Sequence, residues 1–211
     1  MPFELSRFVG LRPVLFHLTR RANLEPIRAR RQLFCAAKLF AEACAHERIT
    51  EHRPSDAVAL QIAGHTVLIN DQRPLRAEWI DFEEGWDFPR LIAHLNARVF
   101  FWPGTLRGPN KYGQNHAACY DKLDAVVLRV HTRSLLEANP RVQPEFCRYN
   151  SGAPSPRSRP NPRGARTFLA ADAFELPAAR VAEVTFPEGV ELPDDTQLRA
   201  GDWNQWLPLF G

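Results

Sequence analysis

The chain has 211 residues, 45% of them hydrophobic, and a formal charge of +3. That is apolar material for one substantial core, and the length favours a single domain over 1–211. No apolar run approaches the roughly 18 residues of a bilayer span, and no basic segment leads an apolar stretch at the start, so a soluble cytoplasmic protein without a membrane partner is expected.

Cys35, Cys44, Cys119 and Cys147 lie far apart with no C-x-x-C pair, which argues against a zinc knuckle or a disulfide framework. Reduced, mostly buried thiols and no metal are expected. Lysine occurs only at 38, 111 and 122, so nearly all the positive charge is arginine, whose planar fork grips phosphate.

In chain order, Val14-Leu15-Phe16-His17-Leu18-Thr19 reads as a buried strand interrupted by one histidine. Arg20 to Arg31 carries Leu24 and Ile27 at helical spacing and ends in a basic cluster suited to a helix C-terminus. Residues 36–47 have high helix propensity. Residues 57–70 alternate around Gly64 as a hairpin, closed by the turn Asp71-Gln72-Arg73-Pro74. A helix over 88–96 and a bulky strand over 98–102 follow, with Pro103-Gly104 expected to stop the strand.

Next come a helix over 111–123, a strand over 125–130, a short helix capped by Thr132 and a strand over 146–150. Residues 151–166 hold four prolines and four arginines without a large apolar group and read as a loop. Arg180 to Pro187 is a second buried strand, interrupted by Glu183. Were this strand a neighbour of 14–19 in one sheet, His17 and Glu183 would face the same cleft. The alternative is that Glu183 sits on the solvent face of an edge strand. The order of elements is α+β.

His17-Leu18-Thr19 with Asn23-Leu24-Glu25-Pro26-Ile27, Val99-Phe100-Phe101-Trp102, and Ala182-Glu183-Val184 with Pro187 and Val190 resemble, in that order, three segments of DarT-type ADP-ribosyltransferases. The loop after the aromatic strand, Pro103-Gly104-Thr105-Leu106-Arg107-Gly108, departs from that pattern, and the 57–76 hairpin and the Arg-Pro loop look like additions. The resemblance implies a split, mostly antiparallel central sheet flanked by helices. It also implies NAD as co-substrate, nicotinamide release, a single-stranded DNA or RNA acceptor, and bacterial toxin or phage-defence biology with an antitoxin or antagonist hydrolase as a further partner.

Breaking the nicotinamide–ribose bond develops oxocarbenium character, so a carboxylate is needed, and by resemblance Glu183 supplies it with His17 beside it. His17 and Thr19, two residues apart on one strand face, would hold the nicotinamide end. By position, Arg20, Arg31 and Lys38 are candidates for the pyrophosphate, and Phe34, Phe40 and Tyr112 for stacking. Arg148, Asn150, Arg157, Arg159 and Arg163 would meet the acceptor. Modification of a protein, a 2′-phosphotransferase-like reaction on tRNA, and a non-catalytic nucleic-acid binding module are the alternatives.

Overall fold

The computed structural model describes residues 3–154 and 162–211. In chain order the strands are β1 (Val14–Arg20), β2 (Gln32–Phe34), β3 (Val58–Ile62), β4 (His65–Ile69), β5 (Arg98–Thr105), β6 (Gly108–Pro109) and β7 (Ala125–His131). They continue with β8 (Glu145–Cys147), β9 (Leu169–Ala170), β10 (Glu183–Pro187), β11 (Gly189–Glu191), β12 (Gln197–Arg199) and β13 (Trp206–Pro208). The helices are α1 (Leu5–Leu11), α2 (Leu24–Arg30), α3 (Ala36–Glu42), α4 (Phe88–Asn96), α5 (Lys111–Tyr120) and α6 (Thr132–Ala138). The result is α+β, a mostly antiparallel sheet flanked by helices.

The main sheet runs β13-β12-β7-β1-β5-β10-β8-β9, with β6 added to β5. The period-2 alternation of strands explains its two faces. On β1, Leu15 joins one core with Phe8, Leu24, Ile27 and Leu135, while Val14, Phe16 and Leu18 join another with Ala117 and Tyr120. Thus α1, α2 and α6 pack on one face and α5 on the other. A third cluster seats α4 through Leu91, Ile92 and Leu95 beside Cys147, and a fourth packs Phe40 of α3 under the β3–β4 hairpin.

β1 and β10 are not neighbours: β5 lies between them and serves them with different halves. Val14, Leu15 and Phe16 pair with Gly104, Pro103 and Trp102, whereas Val184 to Pro187 pair with Phe101 back to Arg98. The sheet therefore splits along β5 after the Phe16–Trp102 pair, and the two polar residues of the buried strands, His17 and Glu183, flank the split. β10 is central, between β5 and β8, and its residues 183–186 are all buried, which removes the edge-strand reading of Glu183.

Pro103 and Gly104 do not stop β5, which runs on to Thr105. Gly104 is needed there because two backbones converge. A Cβ at this position would sit 2.3 Å from the Gly108 carbonyl oxygen and 2.6 Å from Phe16 Cε2. Gly104→Ala is therefore expected to destabilise the protein by about 2 kcal/mol through overpacking, seen as a fall of several degrees in the midpoint of thermal unfolding.

Other boundaries also differ from the sequence reading. The 36–47 helix ends at Glu42, because Cys44 turns into the left-handed region (φ 55°) before a 3₁₀ turn at His46–Ile49. Thr132 is the first residue of α6 rather than its cap, and its hydroxyl donates to the Arg12 carbonyl at 2.5 Å instead. The strand expected over 146–150 ends at Cys147. Cys35 and Cys147 are buried, but Cys44 and Cys119 are exposed.

Candidate functional site

The split in the sheet opens into a cleft of about 260 Å³. His17 spans the break: beyond Phe16, where β1 has no further backbone partner on β5, its Nδ1–H donates to the Phe100 carbonyl at 2.9 Å. A carbonyl only accepts, so the proton sits on Nδ1 and Nε2 is left as an acceptor. Burial lowers the pKa of His17, with the Phe100 bond opposing, and the ring is neutral at pH 7.

Glu183 faces the cleft from the other half-sheet and is 3% exposed. Its Oε2 accepts from the backbone N–H of Ser151 at 3.0 Å. Burial pushes the carboxyl up to about 7, against the opposing pull of Ser151 and Arg163. A carboxylate poised near neutrality on a rigid central strand is suited to stabilising a developing positive charge or taking up a proton.

The hairpin, an addition by sequence, forms a wall of this cleft. Asn23 clamps it to the end of β1: its amide donates to Thr19 Oγ1 at 3.0 Å and to the Leu68 carbonyl at 2.8 Å, and its Oδ1 accepts from Leu68 N–H at 2.7 Å. Arg53, 8% exposed, lies deeper. Its Nε donates to the Asn70 carbonyl at 3.0 Å and Nη2 to Asn96 Oδ1 at 3.1 Å, while Nη1 is buried with no hydrogen-bond partner among the described residues. Burial lowers its pKa to about 10, with Asp71 opposing, so the guanidinium keeps its charge at neutral pH. A buried cation with an unmatched N–H beside a cleft marks a place for an anionic or carbonyl oxygen.

Residues 13–196 match a family of unknown function, DUF7002. The chain belongs to this family. No curated protein and no solved structure matches it.

The geometry of this DUF7002 chain sorts the residues singled out by sequence. His17, Thr19, Phe34, Asn150 and Glu183 line the cleft together. Phe34 also walls an adjoining hollow of about 70 Å³, and Lys38 Nζ lies 4.4 Å from the centre of its ring without lining either cavity. The other cations are committed elsewhere. Arg20 donates to Asn70 Oδ1 at 2.5 Å and to the Leu123 carbonyl and lies over Tyr120, because its even position on β1 sends it to the face opposite His17. Arg31 ends α2 in the left-handed region, paired with Asp194 and 4.0 Å over Phe210.

Phe40 is fully buried beneath the hairpin, and Tyr112 is exposed at the start of α5 outside the cleft. Arg148 is exposed, while Arg157 and Arg159 lie outside the described residues. Arg163, expected to meet the acceptor, instead turns inward: it is 2% exposed, stacks 3.7 Å over Tyr149, and donates to the Asn150 and Ser151 carbonyls. It thereby holds the turn whose N–H meets Glu183. Sequence reasoning gave no site role to Asn23, Trp102, Arg53 and His116: the first two stood only within the segments that resemble the DarT type, and His116 left the helical spacing 113, 116, 117, 120 that sets it on the inward face of α5.

Among the described residues no group of three or more His, Cys, Asp or Glu comes together to hold a metal, and no helix is long and apolar enough to cross a membrane.

Proposed function

We propose that this protein is an NAD-dependent ADP-ribosyltransferase that releases nicotinamide and passes ADP-ribose to a nucleic-acid base, on a sheet of the ADP-ribosyltransferase type. The observation that carries this reading is the pairing of Glu183 and a neutral His17 across a split in the sheet. The three segments resembling DarT-type enzymes supply β1, β5 and β10, the strands that create the split.

In this reading the bond between ribose C1′ and nicotinamide nitrogen breaks, and nicotinamide leaves with the electron pair. Ionised Glu183 stabilises the positive charge left on the ribose, and a ring or exocyclic nitrogen of the base attacks C1′ and passes its proton to the Glu183 carboxylate. His17, fixed by Phe100, offers Nε2 as acceptor to a ribose hydroxyl or amide N–H, with Thr19 beside it held by Asn23. Arg53 supplies cationic donors for the pyrophosphate, the role sequence position suggested for Arg20, Arg31 and Lys38.

The test is incubation with NAD and, separately, single-stranded DNA, RNA and bulk protein. Nicotinamide release and a mass gain of one ADP-ribose on DNA or RNA are expected. A product on protein alone would move the acceptor, and absence of both NAD binding and nicotinamide release would overturn the reading in favour of a binding module.

A further inference from the structure

The far wall of the cleft is built from groups that the catalytic reading does not use. His116 reaches it from α5, and its ring lies tilted between two others, 4.7 Å from Trp102 and 4.8 Å from Tyr120. Neither nitrogen of His116 has a hydrogen-bond partner among the described residues. Trp102, only 8% exposed, lines the same cleft, and its Nε1–H is buried without an acceptor among the described residues. Two adjacent rings, the buried Trp102 and the half-buried His116, thus line one cavity, and the indole N–H is unmatched among the described residues. A buried indole N–H left open in this way is uncommon unless something else meets it.

The support behind these rings is firm. Gly113 brings α5 against Trp102 so closely that a Cβ there would lie 2.8 Å from Trp102 Cβ. Asn110 caps α5 by accepting from Gly113 N–H, and its amide donates to the Ala182 carbonyl at 2.7 Å. The helix that carries His116 is therefore tied to the residue next to Glu183. Tyr120 donates to Asp71 Oδ1 at 2.8 Å, which fixes the outer ring of the three.

The geometry points to His116 and Trp102 as a reading edge for a planar nitrogen heterocycle that carries a carbonyl oxygen. Trp102 Nε1–H donates to that oxygen, and His116 exchanges a hydrogen bond with a neighbouring ring or amide nitrogen. Nucleobases such as thymine, cytosine and guanine have this edge, and so does the carboxamide of nicotinamide. Burial keeps His116 neutral, its pKa lowered to about 4 against the opposing effect of Asp71, so it retains both a donor and an acceptor at pH 7. The inference rests on the transferase reading only for the choice of probes.

The experiment is calorimetric titration of nicotinamide, thymidine, deoxycytidine and deoxyguanosine into the wild type, His116→Phe and His116→Gln, with nicotinamide release from NAD measured in parallel. His116→Phe keeps a stacking ring and loses both polar nitrogens. It is expected to weaken at least one probe tenfold or more, with partial recovery in His116→Gln. A loss confined to nicotinamide assigns the edge to the dinucleotide, and a loss confined to a nucleoside assigns it to the acceptor.

Should His116→Phe fail to fold, Trp102→Phe, which deletes the indole N–H and keeps an aromatic ring, is read by the same criterion. Binding unchanged in the variant, or no probe bound by the wild type, overturns the edge. Nicotinamide release with unchanged affinities overturns it while leaving the transferase standing. A His116-sensitive affinity without nicotinamide release does the reverse.

Discussion

Glu183→Gln is expected to lower nicotinamide release about a thousandfold while making the protein more stable at pH 8. Both effects come from one charge. A buried carboxylate aimed at the position where positive charge develops lowers the barrier only in its ionised form, and groups placed this way commonly contribute two to three orders of magnitude. Glutamine keeps an oxygen to accept from Ser151 N–H but carries no charge. The rate of the wild type in single-turnover measurements should accordingly rise with pH through about 7, where the buried acid loses its proton.

The same pKa sets the effect on stability. The carboxyl titrates near 7 in the fold against an ordinary value of 4.5. Below pH 4.5 the acid is protonated in both folded and unfolded chains and costs nothing. As pH rises the unfolded chain ionises first, so stability falls until the folded group also ionises near 7, and the cost then levels at about 3 kcal/mol. The glutamine variant escapes that cost. Chemical denaturation should show wild type and variant nearly equal at pH 4 and separated by about 3 kcal/mol at pH 8. Equal stabilities at both pH values would mean that the carboxylate is well solvated. Turnover surviving in the variant would remove it from the chemistry.

β1 and β10 were legible in sequence because a strand buried on both faces is written as continuous apolar residues, so one His or Glu within it stands out. Their relation was not legible. Whether two strands are neighbours or share a third depends on pairing over 80 residues or more, and nothing in either segment encodes β5 between them. The 57–70 hairpin could be read from its alternation around Gly64, yet its place as a cleft wall comes from Asn23, a residue 45 positions away from Leu68. Phe34 and Phe40 looked alike as stacking candidates, and only the position of the hairpin exposes one to the cleft and seals the other. Arg20 was misread because an odd separation of three residues from His17 means the opposite face on a strand. Arg163 sat in a run of arginines and prolines that reads as solvated, but Tyr149 and two carbonyls of the Asn150–Ser151 turn bury it.

Arg53 had no sequence signal at all, being one arginine before Pro54 in a polar stretch, and the second large effect is expected there. Arg53→Met is predicted to weaken NAD binding 10- to 100-fold, about 1.5–3 kcal/mol, the range of a charge-assisted hydrogen bond in a site shielded from water. The argument is one of unmatched donors. Nε and Nη2 are held by the Asn70 carbonyl and Asn96, whereas Nη1 is buried and has no partner among the described residues. A guanidinium serving only to brace the hairpin would be expected to have all its buried N–H groups answered by protein. Methionine fills much of the same volume along the Phe40 ring, so the loss should fall on charge and hydrogen bonding more than on packing. Arg53→Lys keeps the charge and loses the fork that reaches two partners at once, and should recover only part of the affinity. Titrations with NAD and with nicotinamide separate the alternatives. A loss for NAD with nicotinamide unaffected places Arg53 at the phosphates. NAD affinity equal to wild type in a variant that unfolds several degrees earlier would make Arg53 a brace for the Asn70–Gln72 wall and leave its Nη1 to some other anion.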